Sequence, residues 1–371
     1  MKRTLRFVIT VAFVSWSFAF SAETTLKDAF KNSFLVGVAI NLAQISGKDS
    51  RGIKLIESQF NSITPENILK WALVHPGPNL FDFAAADRYV DFGEKRHMVV
   101  IGHTLVWHEQ TPNWVFEDDK GNPVSRDVLL QRMQDHIHTV VGRYRGRIHG
   151  WDVVNEVLNE DGTMRQSPWM KIIGADYVEK AFQFAHEADP KAELYYNDYA
   201  LENEAKRNGA VVLLNKLLKA GIPVTAVGLQ GHDTLDWPTR QLQDETIGIF
   251  EKLGVKVNIT ELDITVLPRA MKEPTAGVAA NVENTPALNP YTTGLPDSVQ
   301  QALAKRYADL FTVFLRHRKA IQRVTFWGVT DADSWRNNWP VRGRTDYPLL
   351  FDRNGASKPA FAAVINTVKP N

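Results

Sequence analysis

The chain has 371 residues, a formal net charge of +1 and no cysteine. Hydrophobic residues make up 44% and charged residues 23% of it, which is typical of a globular protein and excludes a disordered chain. A net charge near zero gives no electrostatic footprint for nucleic acid, so we predict no nucleic-acid partner. The absence of cysteine excludes disulfides, thiolate nucleophiles, iron–sulfur clusters and cysteine-bound zinc. The 10 tryptophans are the unusual feature, since they suit either a core or flat surfaces for stacking rings.

The first 22 residues have the layout of a secretory signal peptide. Lys2, Arg3 and Arg6 precede an uncharged run over 7–20, and small residues follow it. This run is too short to span a bilayer core of roughly 30 Å, and no cysteine is available for a lipid, so we predict no membrane anchor. We therefore predict an exported protein, secreted or periplasmic, whose net charge becomes −2 once the peptide and its three positive charges are removed.

Short apolar runs alternate with amphipathic segments along the rest of the chain. Continuous apolar runs are typical of buried parallel strands, and a 3.6-residue spacing is typical of helices. The predicted strands are Phe34–Ile40, Phe60–Thr64, Met98–Val106, Ile148–Asn155, Glu193–Asn197, Ala226–Leu229, Val255–Glu261 and Arg323–Trp327. The predicted helices are Asp82–Arg96, Arg126–Tyr144, Asp176–Ala188, Glu204–Ala220, Thr239–Leu253 and Asp297–Arg318.

This alternation predicts an α/β protein in which residues 23–371 form a single (β/α)8 TIM barrel. A doubly wound open sheet is the alternative. No Gly-x-Gly-x-x-Gly follows the first predicted strand, so the dinucleotide site that usually accompanies that fold is missing.

Polar and aromatic side chains stand where the predicted strands end. In a barrel these carboxyl ends converge on one face, which carries the functional site. Carboxylates, amides, imidazoles and indoles in one pocket suit a carbohydrate, because a sugar ring offers hydroxyls at its edge and C–H faces for stacking. The segments concerned are Thr64–Trp71, Gly102–His108, Trp151–Glu156, Tyr195–Tyr199, Gly228–His232, Asn258–Asp263 and Thr325–Val329.

Two carboxylates, Glu156 and Glu261, end apolar strands on opposite sides of the predicted barrel mouth. Glycoside hydrolysis needs such a pair, one carboxyl to protonate the leaving oxygen and the other to attack the anomeric carbon or activate water. A separation of about 5–5.5 Å gives retention of configuration, and roughly 6.5–9.5 Å gives inversion. The sequence by itself leaves this choice open.

Six segments, in this order, resemble the signature of glycoside hydrolase family 10, a family of retaining endo-β-1,4-xylanases built on a (β/α)8 barrel. They are Thr64–Trp71, Gly102–His108, Trp151–Glu156, Tyr196–Tyr199, Gly228–His232 and Ile259–Asp263. The resemblance runs from about residue 25 to the C-terminus. It implies that Glu156, in Asp-Val-Val-Asn-Glu, is the acid/base and that Glu261, in Thr-Glu-Leu-Asp, is the nucleophile. It also implies xylan or xylo-oligosaccharides as substrate, with no metal and no cofactor. We further predict a monomer.

The neighbours of the two glutamates suit this chemistry. The resemblance places Asn155 on the sugar 2-hydroxyl, where hydrogen bonds strengthen in the transition state. Glu261 and Asp263 are two residues apart on a strand and share a face, so His232 can bridge them. Gln230 precedes His232 by two residues and is expected to face the same pocket.

The resemblance also implies residues that bind the substrate. On the non-reducing side of the cleaved bond it implies a polar cluster and two stacking platforms, and Tyr199 is expected on the leaving-group side. The polar cluster is Glu66, Asn67 and Lys70 with His103, Trp107 and Gln110, and the platforms are Trp327 and Trp335. Four other tryptophans are predicted as core or rim, namely Trp71, Trp114, Trp151 and Trp169.

Three other functions compete with this interpretation. A metal-dependent barrel hydrolase would use His103, His108 and His232, but such barrels usually carry His-x-His on the first strand, which has none here. His136 and His138 lie on a predicted helix, where a surface location is expected. A non-catalytic glycan-binding barrel would lose a carboxylate, and both are present. A cellulase-type barrel would need room for a hydroxymethyl group that a xylanase pocket excludes.

Two features depart from the family pattern. Glu109 stands where a small polar residue is expected, and it would change the charge of the pocket. The loop over 271–296 is rich in Pro, Asn, Thr and Gly and is long for the family. It follows the predicted nucleophile strand, so we expect it to shape the leaving-group side.

Overall fold

A computed structural model describes residues 24–271, 277 and 279–368. The predicted signal peptide lies outside the described residues. Parallel strands and helices alternate along the described chain. The strands are β1 (Leu35–Ile40), β2 (Ser62–Pro65), β3 (Val99–Val106), β4 (Gly150–Asn155), β5 (Glu193–Asp198), β6 (Ala226–Leu229), β7 (His232–Thr234), β8 (Lys256–Thr265) and β9 (Ile321–Phe326).

The strands close into a barrel, as the sequence predicts. They follow the order β6-β5-β4-β3-β2-β1-β9-β8, and pairing of β6 with β8 completes the ring. Every ladder is parallel, with registers such as Gly37↔Ser62 between β1 and β2. All eight predicted strands are present. The short strand β7 was not predicted. It begins three residues after the end of β6 and pairs with the last residues of β8.

The six predicted helices are present, with ends within two residues of those expected. Ser125 caps α6 as the sequence indicates, since its hydroxyl accepts a hydrogen bond from the Val128 amide at 3.4 Å. Six shorter helices escaped prediction because few of them span enough residues to show a period. The helices are α1 (Leu26–Ala29), α2 (Leu42–Ile45), α3 (Ser50–Gln59), α4 (Trp71–Val74), α5 (Ala84–Lys95), α6 (Arg126–Arg143), α7 (Pro168–Ile172), α8 (Tyr177–Ala188), α9 (Glu204–Lys219), α10 (Arg240–Lys252), α11 (Asp297–Arg316) and α12 (Pro359–Asn366).

A glycine admits a large aromatic side chain on the outer face of the barrel, where the strands pack against the helices. Trp151 on β4 is directly beside Gly102 on β3, and a Cβ at Gly102 would lie 2.1 Å from the Trp151 ring. Glycine is therefore required there to admit the indole. Trp71, Trp151 and Trp169 are all buried, which confirms the prediction that they are structural, and Trp114 is partly buried against the same core. In the part of the chain that the structure describes, no helix combines the length and apolarity needed to cross a bilayer.

One sequence expectation is wrong. The helical pattern predicts a surface location for His136. In the structure its side chain is fully buried, whereas the side chain of His138, two residues further on, is half exposed. The Nδ1 atoms of His136 and His75 are 3.2 Å apart, and the ring of His136 stacks on Trp71 with centroids 3.6 Å apart. His136 is therefore buried because it packs against aromatic side chains between α4 and α6, which the helical pattern does not reveal.

This buried pair makes a prediction about stability. Burial lowers the pKa of His75 to about 4 and that of His136 well below its ordinary value, so the folded protein holds both rings neutral. In the unfolded chain the same rings take up protons below about pH 6.5, and the folded state loses stability as the pH falls through that range. Replacing His136 with Phe should reduce the pH dependence of the free energy of unfolding by up to about 1.4 kcal/mol per pH unit.

Thermal or urea unfolding at several pH values between about 4.5 and 7.5 measures this slope. His138→Phe on the exposed side of the same helix is the matched control for the loss of one imidazole, and the slope should fall more in the His136→Phe protein than in this control. Equal slopes in the two variants would contradict the prediction, whatever their absolute stability.

Candidate active site

An open cavity of about 500 Å³ lies at the carboxyl ends of the barrel strands. The structure brings fourteen of the predicted site residues together around it, and the fifteenth, Asp263, lies buried beneath its wall. The predicted residues that line the cavity are Glu66, Asn67, Lys70, His103, Trp107, Gln110, Asn155, Glu156, Tyr199, Gln230, His232, Glu261, Trp327 and Trp335.

Glu156 follows the last residue of β4 and has a left-handed backbone, with φ at 59°. Few non-glycine residues adopt this conformation, and such strain is concentrated at functional sites. The carboxylate accepts hydrogen bonds from Gln230 and Trp107, both at 2.9 Å. Burial, reinforced by the charge of Asp198, nevertheless raises the pKa of Glu156 to about 7. A carboxyl with this pKa can hold its proton near neutral pH and release it in a later step.

Glu261 lies within β8, and its environment has the opposite effect. Burial on its own would raise the pKa of Glu261, but a hydrogen bond from His232 and the charges of His103 and His232 outweigh it. The pKa of Glu261 is therefore lowered. His232 Nε2 lies 3.3 Å from one carboxylate oxygen, and the Asn197 amide donates to the other at 2.8 Å. Glu261 is thus held ionised and oriented, as a nucleophile requires.

A chain of amides connects the two carboxylates. Gln230 donates to Glu156 and also approaches the Asn155 side-chain oxygen at 3.4 Å. The same Asn155 oxygen accepts from Asn197 at 2.9 Å, and Asn197 donates to Glu261. The amides on β4, β5 and β6 therefore hold the two carboxyl groups in one rigid arrangement. Asn197 was not predicted, although it lies in the segment Tyr195–Tyr199 that the sequence singled out.

Asp263 holds a second set of groups beneath the cavity wall. His232 Nδ1 lies 3.0 Å from its carboxylate, so His232 bridges Asp263 and Glu261 as the strand spacing predicts. Arg336 donates to the same carboxylate at 2.8 Å and the Trp335 indole at 2.7 Å. Although burial opposes it, the Arg336 and His232 charges lower the pKa of Asp263 to about 2.

This arrangement keeps His232 charged. Burial lowers the pKa of His232, but the charges of Asp263 and Glu261 and their hydrogen bonds outweigh burial and raise that pKa to about 9. At neutral pH His232 is therefore a cation that donates to both carboxylates. No role was predicted for Arg336, because it lies in a single short turn, Trp335–Asn337, within the long segment between β9 and α12, where no periodic pattern is visible.

The predicted polar cluster forms one wall of the cavity. Lys70 Nζ donates to the Asn67 side chain at 3.0 Å and lies 4.8 Å from the centre of the Trp107 ring. The Gln110 amide reaches the same Asn67 oxygen at 3.3 Å. Burial lowers the pKa of Lys70, although the charges of Glu261, Glu66 and Glu156 favour its protonated form.

His103 and two tryptophans complete this wall. His103 Nδ1 contacts Asp152 at 2.9 Å, which orients the imidazole, and its ring meets Trp327 edge to face with centroids 5.4 Å apart. Trp335 stacks on Trp339 with centroids 4.9 Å apart. The platforms therefore have fixed orientations before any substrate arrives, which lowers the entropic cost of binding.

Tyr199 lies on the opposite wall, close to Glu156. Its hydroxyl donates to Glu160 at 2.5 Å and accepts from Arg165 at 3.1 Å. Arg165 also donates to the backbone carbonyl of Glu156 at 3.0 Å and to that of Leu158 at 2.8 Å. One guanidinium therefore fixes both the left-handed turn at Glu156 and the ring of Tyr199. Arg165 lies nine residues beyond Glu156 in an irregular loop, where no sequence pattern indicated a role.

Two further expectations concern the edges of the cavity. Glu109 does not line it; its carboxyl is half-buried, and burial raises its pKa. In the long loop, Met271 lines the cavity, and the amide of Val282 donates to the carbonyl of Pro340 at 2.7 Å. Part of the loop therefore packs beside the Trp339 segment. Among the residues that the structure describes, no three His, Asp or Glu side chains are placed to hold a metal ion.

The glycosyl hydrolase family 10 model matches residues 25–367. The chain belongs to this family. It is 42% identical over 365 residues to endo-1,4-beta-xylanase A of Xylanibacter ruminicola, covering 98% of this chain and 99% of the relative. A family 10 endoxylanase retrieved from sugarcane soil metagenome superposes with a TM-score of 0.89 at 45% identity, covering 92% of this chain and 99% of that one. A mutant solved in complex with xylotriose superposes at 0.83 and 34% identity, covering 93% and 100%.

Within this family 10 barrel, the two glutamates divide the ring of strands into two arcs. Glu156 follows β4 and Glu261 lies in β8, so the ring places β5 and β6 between them on one side and the other four strands on the other side. The arc β9-β1-β2-β3 carries the polar cluster and the platforms Trp327 and Trp335, while the arc β5-β6-β7 carries Tyr199. A polysaccharide that crosses the mouth over both carboxyl groups therefore meets binding residues on both sides of the cleaved bond.

Proposed function

We propose that this family 10 glycosyl hydrolase is an endo-1,4-β-xylanase that cleaves the xylan backbone internally with retention of configuration. The observation that carries the proposal is the pair of buried carboxyl groups in one open cavity, with the pKa of Glu156 raised to about 7 and that of Glu261 lowered. Two groups whose environments separate their pKa values in this way suit an acid and a nucleophile. Binding residues on both arcs favour internal cleavage over removal of terminal units.

In the first step, the carboxylate of Glu261 attacks the anomeric carbon and forms a glycosyl ester. The bond between that carbon and the leaving oxygen breaks, and Glu156 donates its proton to this oxygen. In the second step, Glu156 takes a proton from water, and the water oxygen displaces Glu261 from the anomeric carbon. The ester carries no charge, so the repulsion that helps to raise the pKa of Glu156 is removed when a base is needed.

The supporting residues have roles that follow from their contacts. Asn155 lies between the two carboxyl groups, where it can hold the sugar 2-hydroxyl while positive charge develops on the ring. His232 and Asp263 keep Glu261 ionised. Lys70 and His103 offer donors to hydroxyls on the non-reducing side, and Trp327 and Trp335 offer faces for stacking.

The mechanism predicts a bell-shaped dependence of kcat/KM on pH. Activity requires Glu261 ionised and Glu156 protonated. Because the pKa of Glu261 is lowered and that of Glu156 is about 7, the acidic limb of kcat/KM should lie below the ordinary pKa of a glutamate and the basic limb at about pH 7. A profile on xylotetraose measures both limbs. A basic limb near 9 would instead match His232 and contradict the assignment of Glu156.

An aryl xylobioside with an activated phenol is the control for this profile. Its leaving group departs without protonation, so formation of the ester should lose the basic limb and keep the acidic one. Retention of both limbs in single-turnover measurements would show that the basic limb reports some other group.

The experiment that tests the proposed function incubates the purified protein with xylan, carboxymethylcellulose and an aryl β-xylobioside, with and without a chelator. We expect rapid loss of xylan viscosity, little action on carboxymethylcellulose and no effect of the chelator. Proton NMR of the first product should show the β anomer. Inactivity on xylan, chelator-sensitive activity or an α product would each overturn the proposal.

We also propose that residues 1–22 are a signal peptide and that the protein is exported, without a membrane anchor, as a monomer. The charged start and short apolar run support export. Mass spectrometry of protein from the culture fluid and periplasm should find a chain that begins within a few residues of 23. Sedimentation of that chain should give a mass near 40 kDa. An uncleaved chain retained with membranes would contradict the proposal.

A further inference from the structure

The arc β5-β6-β7 carries a small aromatic cluster that is separate from the barrel core. Tyr199 and Ala200 are buried together, and Trp237 packs against them. All three line the cavity, on the side opposite the polar cluster of Glu66 and Asn67. Trp237 was not singled out by the sequence, because it lies beyond a strand that is itself only three residues long.

Tyr199 is the part of this cluster nearest to the reaction. Arg165 joins its hydroxyl to the backbone of Glu156, so the ring stands immediately beside the acid/base. The ammonium of Lys206 lies 3.3 Å from the centre of the Tyr199 ring and occupies one of its faces. Tyr199 is therefore placed to meet the first sugar of the leaving group, and Trp237 packs beside Tyr199 as a second aromatic side chain on the same wall of the cavity.

The backbone of Trp237 is hydrogen-bonded within its own turn. The Trp237 amide donates to the Thr234 hydroxyl at 3.1 Å, and the Thr234 amide donates to the Trp237 carbonyl at 2.9 Å. Two reciprocal hydrogen bonds therefore close the turn from β7 to Trp237. The backbone that carries the indole is therefore ordered before a ligand stacks on it, which lowers the entropic cost of binding.

The indole of Trp237 also differs from two others at the cavity. Trp107 and Trp335 use their N–H groups on the carboxylates of Glu156 and Asp263. Within the described residues, the N–H of Trp237 has no acceptor, and its ring is only partly buried. Trp237 therefore presents an apolar face and an unused donor to the cavity, which is the combination that a pyranose ring with its edge hydroxyls fits.

We propose that Trp237 forms a second sugar-binding subsite on the leaving-group side, where a xylosyl residue stacks on the indole beyond the one that meets Tyr199. The inference rests on the proposed function. Because this contact lies away from the reacting bond, its binding energy favours substrates long enough to reach it. The subsite therefore sets the preference for chain length and the position at which short chains are cut.

The test compares Trp237→Ala with the unmodified protein on two substrates. Xylohexaose can reach Trp237 from the cleaved bond, whereas an aryl β-xylobioside ends at the first leaving-group position. We expect kcat/KM for xylohexaose to fall roughly tenfold, mainly through KM, with unchanged kinetics on the aryl xylobioside. Cleavage of xylopentaose should shift away from bonds that leave two sugars on this side. Trp237→Phe is the matched control and should keep most of the activity.

The possible results distinguish a wrong function from a wrong subsite. If the unmodified protein hydrolyses neither substrate, the proposed function is wrong and the subsite with it. If that protein is active, an equal loss on both substrates in Trp237→Ala assigns the residue to the integrity of the site and overturns the subsite. Unchanged kinetics and cleavage positions on oligosaccharides overturn it as well.

Discussion

Replacing Glu261 with Ala should lower kcat on xylan by at least about 10⁴-fold, because a double displacement has no first step without its nucleophile. Azide in the reaction should restore cleavage of an activated aryl xylobioside. The small anion fits the space left by the carboxylate and attacks the anomeric carbon directly, so the expected product is the α-glycosyl azide. Initial rates and proton NMR of the product measure both effects.

Glu109→Ala is the matched control, since Glu109 is a half-buried carboxyl beside the site that does not line the cavity. Its activity should stay within about twofold of the unmodified protein. Circular dichroism on both variants checks that the barrel is folded. A folded Glu261→Ala protein with more than about one hundredth of the original rate would show that another residue is the nucleophile.

Replacing Glu156 with Gln is expected to separate substrates by their leaving groups. On xylan the loss of a proton donor should lower kcat by about 10²–10⁴-fold. With an activated phenol as leaving group, formation of the ester should proceed at nearly the original rate, since this departure needs no proton. The ester should then accumulate, because no base activates water, and a burst of phenol should precede a slow steady state.

Azide distinguishes this variant from the Glu261 variant. It needs no general base, so it should speed up release of the ester and yield the β-glycosyl azide, the opposite anomer from that expected with Glu261→Ala. Equal losses on xylan and on the activated substrate, without a burst, would contradict the acid/base assignment. The α-azide from Glu156→Gln would mean that the two roles are exchanged.

The barrel and the location of its site were predictable from local patterns. Parallel strands covered by helices have to be apolar on both faces, so each strand is a visible run, and only its end can hold polar side chains. For this reason the segments ending in Glu156 and Glu261 were found directly, and the two-residue spacing of Glu261 and Asp263 predicted the bridge by His232. The comparisons confirm the family that the same motifs indicated.

Other features depend on side chains that are distant in sequence. His136 is buried because it stacks on Trp71, which is 65 positions away in the chain. The spacing of residues within one helix contains no information on such a distant partner, so it predicted a surface location. Arg165 donates to the backbone carbonyls of Glu156 and Leu158 and to the hydroxyl of Tyr199. These contacts depend on the conformation of an irregular loop, which has no sequence pattern. Trp237 belongs to the site because β7 pairs with the end of β8 and carries the following turn to the cavity.

The sequence alone determined the fold class, the family and the two carboxyl groups, because each is encoded in residue type and spacing within a few positions. The family resemblance implied which carboxyl is the acid, but only the tertiary structure shows why that carboxyl keeps its proton. Glu156 and Glu261 are the same residue type, both follow apolar runs in the sequence, and their ordinary pKa values are identical. Burial near Asp198 raises the pKa of one, and a charged His232 lowers that of the other. Those neighbours come from different strands, and closure of the barrel brings them together.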